Sequence, residues 1–277
     1  MDVPDTLTTR RALLGSVGTV LAGGGVVYAA PHLESESSEA TVPRTPASSS
    51  GGGAGGANAT NDSNGNGTGA SLDTGFHYST ETAGFDIDLA GHPIMGSMDA
   101  PVDIYYWTDY QCPFCKRFEH GAFPKLVENQ VREGTVRLVF IQFPYLSEGS
   151  MTAAVMDRCV WREVRESTPG RYRRWHGAVF DAQGEKGSGW ASKENLLELT
   201  RGVEGIDAAA VEAKMDEHRS DIEASIKADR TYAAQELGVG GTPAFVLYNR
   251  GNGKAGKVTG AQPYERFDEA ITRVKNA

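Results

Sequence analysis

Cysteine is scarce, with 3 in 277 residues, too few to staple a small disulfide-built domain, so any folded part depends on a buried apolar core. Positive charge is short as well: 27 Lys and Arg stand against 36 Asp and Glu, a formal net charge of −9. Nucleic acid calls for a concentrated basic surface, and this balance sets that class of partner aside. Residues 12 to 30 carry no charged side chain, and residues 34 to 74 have almost no large apolar ones. The first stretch is too uncharged for an ordinary surface helix, and the second is too polar to contribute a core.

These two stretches set the expected organisation. Thr9-Arg10-Arg11-Ala12-Leu13-Leu14 followed by the uncharged run has the form of a twin-arginine export signal covering residues 1–33. Cleavage after Ala29 and retention as a membrane anchor both fit its length. Residues 34–75, rich in Gly, Ser, Asn and Thr, read as a flexible linker. Asn58, Asn61 and Asn66 each begin an Asn-x-Ser/Thr acceptor pattern for N-glycosylation. The folded domain is expected over 76–277, outside the cytoplasm: secreted, at the cell surface or tethered to the membrane.

Within that domain the chemistry concentrates at Cys112-Pro113-Phe114-Cys115. Val102 to Thr108 is rich in β-branched and aromatic residues and reads as a strand. Phe114, Phe118, Leu126, Val127 and Val131 then follow helical spacing. Pro113 suits the first turn of a helix, which puts Cys112 at its start. Unpaired N–H groups and the positive end of the macrodipole stabilise an anion there. A free thiol of pKa about 8.5 is only about 3% thiolate at pH 7, whereas a pKa near 6 would make it about 90% thiolate. Cys112 is thus the candidate nucleophile, and Cys115, one turn inward, the candidate resolving thiol. Half of a zinc site and an inert structural disulfide are the competing readings of the pair, but zinc wants four ligands and only Cys159 and scattered histidines remain. Cys159 and His176 both fall on apolar faces of expected helices and read as core residues.

The remaining pattern orders the domain. Phe85, Ile87 and Leu89 alternate with aspartates as a short strand would. The helix after Cys112 is expected to kink or break at Pro124, and Val136 to Ile141 reads as a strand buried on both faces. A helical stretch of about 147–237 follows, with separate helices from Asp207 and over Ile222 to Leu237. Ala244 to Tyr248, the turn Asn249-Arg250-Gly251-Asn252-Gly253 and Lys257 to Thr259 form a hairpin, and a last helix carries Tyr264, Phe267, Ile271 and Val274 on one face.

That βαβ, helical insert, ββα order, with Asp109 to Lys116 and Gly240-Gly241-Thr242-Pro243-Ala244-Phe245, resembles the DsbA-like branch of the thioredoxin superfamily over residues 84 to 276. The resemblance implies an α/β thioredoxin-like fold, a central mixed sheet of four or five strands flanked by helices, with an inserted α-helical domain. It also implies that Pro243 follows a cis bond and lies against the dithiol, with Thr242, Pro243, Pro113 and Phe114 facing a bound substrate peptide. The activity it implies is protein thiol–disulfide exchange, oxidase first, through the Cys112–Cys115 couple and with no other cofactor. Exported cysteine-containing proteins would be the substrates, and a membrane redox protein would reset the couple. Phe114 stands where the strongest oxidants of the family carry histidine, and Thr242 where they carry valine, so reductase and isomerase directions stay open. So does a non-catalytic peptide-binding module.

Overall fold

The computed structural model describes residues 75–277; the export signal, nearly all of the linker and the acceptor sites Asn58, Asn61 and Asn66 lie outside the described residues. In chain order the elements are β1 (Phe76–His77), β2 (Ile94–Met95), β3 (Val102–Thr108), α1 (Pro113–His120), α2 (Ala122–Leu126), β4 (Val136–Gln142), α3 (Glu148–Val164), α4 (Arg171–Asp181), α5 (Lys193–Arg201), α6 (Ala208–Glu236), β5 (Ala244–Asn249), β6 (Ala255–Thr259) and α7 (Tyr264–Asn276).

They build one mixed sheet in the order β1-β2-β4-β3-β5-β6. β3 and β4 run parallel across the α1–α2 crossover, while β3 with β5, and β5 with β6, are antiparallel. β3 is central and wholly buried, so its alternate residues feed two cores. Ile104 and Tyr106 face the larger one, where Tyr106 stacks on Phe245 at 4.9 Å and Phe118, Phe123 and Phe267 close around them. Tyr105 and Trp107 face the other, with Ile141, Val246 and Ala233. Asp103 on β3 stays in this apolar strand because its register partner Arg137 meets it with two N–H···O contacts, at 2.5 and 3.1 Å. This is the thioredoxin-like architecture, with α3 to α6 as the helical insertion between β4 and β5.

Several local expectations are corrected. The sheet has six strands because the two-residue pieces β1 and β2 extend it beyond β4. Phe85 to Leu89 is not a strand: Phe85 and Asp86 have positive φ in a tight turn, and a single Thr82–Asp88 bridge closes it. Ile87 and Leu89 are buried all the same, so the alternation recorded burial rather than pairing. The helix after Cys112 breaks at Gly121, not Pro124. A side chain at Gly121 would come within 2.8 Å of the Arg117 carbonyl. Pro124 sits in the first turn of α2, where its missing N–H leaves no bond unmade. Beyond it, Val127–Val131 widens into a π-type turn, with Arg132 N–H reaching the Val127 carbonyl. The two helices expected after Asp207 are one continuous helix, α6, whose N-terminus is capped by the Asp207 carboxylate.

Candidate active site

β3 ends at Thr108 and α1 begins at Pro113, leaving four residues to turn the chain. Asp109 braces that turn. Its carboxylate accepts from the N–H of Gln111 at 2.8 Å and of Tyr145 at 3.1 Å, and its carbonyl accepts from Cys112 N–H. Burial raises its pKa, opposed by those N–H donors. From the insertion, Gln183 Nε2 donates to the carbonyls of Tyr110 and Cys112, tying the far end of α4 to the same turn.

Cys112 is the N-cap of α1, and Pro113 is its first helical residue. Pro113 and Phe114 are exposed, whereas Cys112 is 2% and Cys115 0% exposed. The Thr242–Pro243 bond is cis, and it presents the Thr242 carbonyl to Cys112 Sγ at 3.2 Å, across 130 residues of sequence. Thr242 and Pro243 are both buried, and the hydrogen bond to the motif is the one from Cys112 to the Thr242 carbonyl.

The two thiols are driven apart. Cys112 is lowered from 9.0 to about 6: the Cys115 side chain donates to it, burial opposes, and the Thr242 hydroxyl and the N–H groups of Cys115 and Phe114 add donors. The Thr242 hydroxyl is buried and closes no hydrogen bond of normal geometry among the described residues, which leaves it free to turn to a Cys112 anion. Cys115 is pushed well above 9.0, first by burial, then by its hydrogen bond and charge interaction with Cys112. One anion shared by two adjacent sulfurs is held on the outer one.

Beneath Cys115 lies a buried polar network that the sequence did not announce. Thr108 Oγ1 donates to Tyr106 OH at 3.0 Å, and Glu119, one turn beyond Cys115 on α1, meets His176 Nε2 at 3.0 Å. His176 Nδ1 is 2.7 Å from Tyr110 OH, and Tyr110 and Tyr172 both donate to Asp157 Oδ1, at 2.6 and 2.7 Å. Burial pushes the Glu119 carboxyl up, but His176, Arg173 and Tyr106 outweigh it and hold the group below its usual range. Burial raises Asp157 despite its hydrogen bonds. His176 is therefore a core residue, as expected, and also the joint between two carboxylates. The available sequence signal was Glu119 itself, a carboxylate four residues after Cys115 and so on the same buried helix face.

Cys159, in the middle of α3, is buried away from the pair, and burial raises it to about 12. His120 is exposed and pairs with Asp181. Exposed aromatic surface flanks the dithiol: Phe114 is 50% exposed with Arg117 over its ring, and Tyr145 is 43% exposed with its hydroxyl beside Gly241. Tyr145 was not singled out from sequence, because only the fold brings the loop after β4 to the Thr242 turn.

The strand–turn–helix dithiol facing a cis-proline turn on a mixed sheet defines a thioredoxin-type site. The thioredoxin family model matches residues 89–273, and the chain belongs to that family. It is similar to disulfide bond formation protein D of Bacillus subtilis (strain 168), with 28% identity over 128 residues, 46% of this chain and 56% of that protein. It thus spans little more than half the length of that relative. Among solved structures, BdbD from Bacillus subtilis, in its oxidised form, shares 24% identity with a TM-score of 0.57 over 68% of this chain and 94% of that one. A thioredoxin-like oxidoreductase from Silicibacter pomeroyi DSS-3 shares 26% identity with a TM-score of 0.54 over 68% and 94%.

Proposed function

We propose that this chain is an extracytoplasmic protein thiol–disulfide oxidoreductase that works chiefly as an oxidase, forming disulfides in exported proteins. The observation that carries the reading is the asymmetry of the pair: an outer Cys112 lowered to about 6 beside a Cys115 held well above 9.0. The names of the Bacillus relatives, disulfide bond formation protein D, support the same chemistry.

In the oxidised enzyme a substrate thiolate attacks Sγ of Cys112. The Cys112–Cys115 bond breaks, and Cys115 leaves with the electron pair and takes up a proton, as its raised pKa favours. A second substrate thiolate then attacks its own sulfur in the mixed disulfide and expels Cys112 as a thiolate. The substrate has lost two electrons and two protons, and the enzyme holds the dithiol. Stabilising the Cys112 thiolate stabilises this reduced form, which makes the couple oxidising. Phe114, with a backbone N–H but no side-chain donor, leaves that stabilisation to Cys115, Thr242 and the helix start.

Thr242 and Pro243 would align an extended substrate segment through the backbone, and Phe114 and Tyr145 would offer it apolar contact. The couple needs no other cofactor in this reading. A membrane redox protein would re-oxidise it, and the twin-arginine segment would deliver or tether it outside the cytoplasm. No helix among the described residues is long and apolar enough to cross a membrane.

The test is oxidative refolding of a reduced, unfolded protein substrate, alongside the reduction potential of the couple. Acceleration by the wild type and none by Cys112→Ala is expected, with a potential above about −200 mV. Equal activity of the variant would sink the assignment; a potential near about −270 mV would turn it to a reductase.

A further inference from the structure

Away from the dithiol, a cavity of about 580 Å³ opens between α3, α6 and the segment around Tyr78 and Asp88. It shares no residue with the site described above. Its wall carries Arg158, Arg162, Arg165, Lys214 and His218 against a single lining carboxylate, Asp88. In a chain of net charge −9, four Arg and Lys side chains share this one concavity; Arg158, Arg165 and Lys214 are held there by Asp229, Glu166 and Glu163, and Glu217 lies beside His218.

The cationic wall is built rather than incidental. The Arg158 side chain is 7% exposed; its Nη2 donates to Asp229 at 2.9 Å and lies 3.3 Å from His92 Nε2, while His92 Nδ1 is 3.2 Å from the Phe140 carbonyl. Its Nη1 packs against Gly91, where a Cβ would fall 2.4 Å away and where φ is +82°. The glycine is thus what lets the guanidinium reach the cavity. Arg165 lies with its guanidinium carbon 4.1 Å from the centre of the Tyr78 ring, which fixes its plane at the rim. Lys214 pairs with Glu163, and Arg165 approaches the exposed Glu166 at 3.2 Å. Arg162, half-buried between them, makes no ion pair or hydrogen bond among the described residues.

A half-buried guanidinium without a counter-charge, flanked by pre-positioned cations, is a receptor for an oxyanion. The volume is that of a small-molecule pocket rather than of a single inorganic ion. We infer that this cavity binds a small polyanion carrying at least two phosphate or carboxylate groups, one on Arg162 and another on Arg158 or Arg165.

The test is calorimetric titration of the full chain with inorganic pyrophosphate and, separately, with citrate, each at matched ionic strength. Saturable binding of either probe at one site per chain is expected, and the tighter probe tells phosphate from carboxylate chemistry. Arg162→Ala, which breaks no ion pair among the described residues, should weaken that binding at least about tenfold. Arg165→Ala, one turn further on at the C-terminal end of α3, provides a second variant. Heats that merely follow ionic strength, or affinity unchanged in both variants, overturn the inference. Loss of binding with the oxidative-refolding rate unchanged separates this site from the dithiol.

Discussion

Cys112 and Cys159 are both buried, at 2% and 0% exposure, yet one is lowered to about 6 and the other raised to about 12. Burial pushes each thiol the same way; the donors around it differ. Cys159 sits mid-helix among Val155, Met156 and Val160, and the charges of Arg162 and Lys214 only partly oppose desolvation. Cys112 sits where a helix begins, with N–H groups of the first turn, a neighbouring thiol and the Thr242 hydroxyl available to an anion. Cys115, three residues away, lacks that arrangement and rises. The two thiols differ by the donors each one meets, for Cys112 the Cys115 thiol first and then the Thr242 hydroxyl and the helix-start N–H groups, rather than by access alone.

The contrast is broken most forcefully by removing the nucleophile. Cys112→Ala should lower the rate of disulfide formation by at least about 1,000-fold, as loss of a covalent nucleophile does, whereas Cys159→Ala should leave it within about twofold. Offered a protein that already carries a disulfide, Cys115→Ala should instead trap a mixed disulfide: Cys112 attacks one sulfur, the other leaves as a thiolate, and no second enzyme thiol is there to release the adduct, which mass spectrometry would show. A Cys115→Ala enzyme that turned over normally would contradict the division of roles.

Alkylation of the reduced protein measures the same contrast by ionisation. Labelling at Cys112 should follow a titration with its midpoint near 6, while Cys159 stays unlabelled until the protein unfolds. A Cys112 midpoint near the free value of about 8.5 would remove the basis of the asymmetry. Stability should follow in the corresponding direction. Between pH 6 and about 8.5 the unfolded chain holds a proton on Cys112 that the folded chain has released, so stability of the reduced form rises with pH there. It is lost again as pH falls through 6. The melting-temperature difference between the reduced wild type and Cys112→Ser should therefore widen from pH 6 to 8.5. Thr242→Val, which deletes one donor and keeps the fold of the turn, should raise the Cys112 midpoint by less than about one unit.

Which parts of this were legible follows from how local each signal is. Cys112, Pro113 and the strand before them announce an N-capped thiol because all the determinants lie within one turn of chain. The approach of Thr242 spans 130 residues, and only resemblance to a family pointed to it. Tyr110, Glu119, Asp157 and Tyr172 each look ordinary in isolation; they become a network only when α1, α3 and α4 pack together. The break at Gly121 was missed because proline is the louder breaker, although Pro124 falls in the one turn that tolerates it. The alternation at Phe85 to Leu89 was read as pairing because period-two burial does not require a partner strand.

The smallest effect tests the quiet side of the comparison. Cys159→Ala removes one sulfur from a closed apolar environment, and the expected cost is about 1 kcal/mol, or a fall of about 2–4 °C in melting temperature for a domain of this size. Cys159→Ser keeps the volume but buries a hydroxyl among apolar groups, which costs about 1–3 kcal/mol unless it bonds back to the carbonyl of Val155 one turn earlier. Serine should therefore be no better tolerated than alanine, the opposite of the outcome for a thiol selected for its polarity. Neither change should move the alkylation midpoint of Cys112. A shift in that midpoint on substituting Cys159 would mean that the insertion and the dithiol communicate through α3, and that the two thiols differ by coupling rather than by local donors alone.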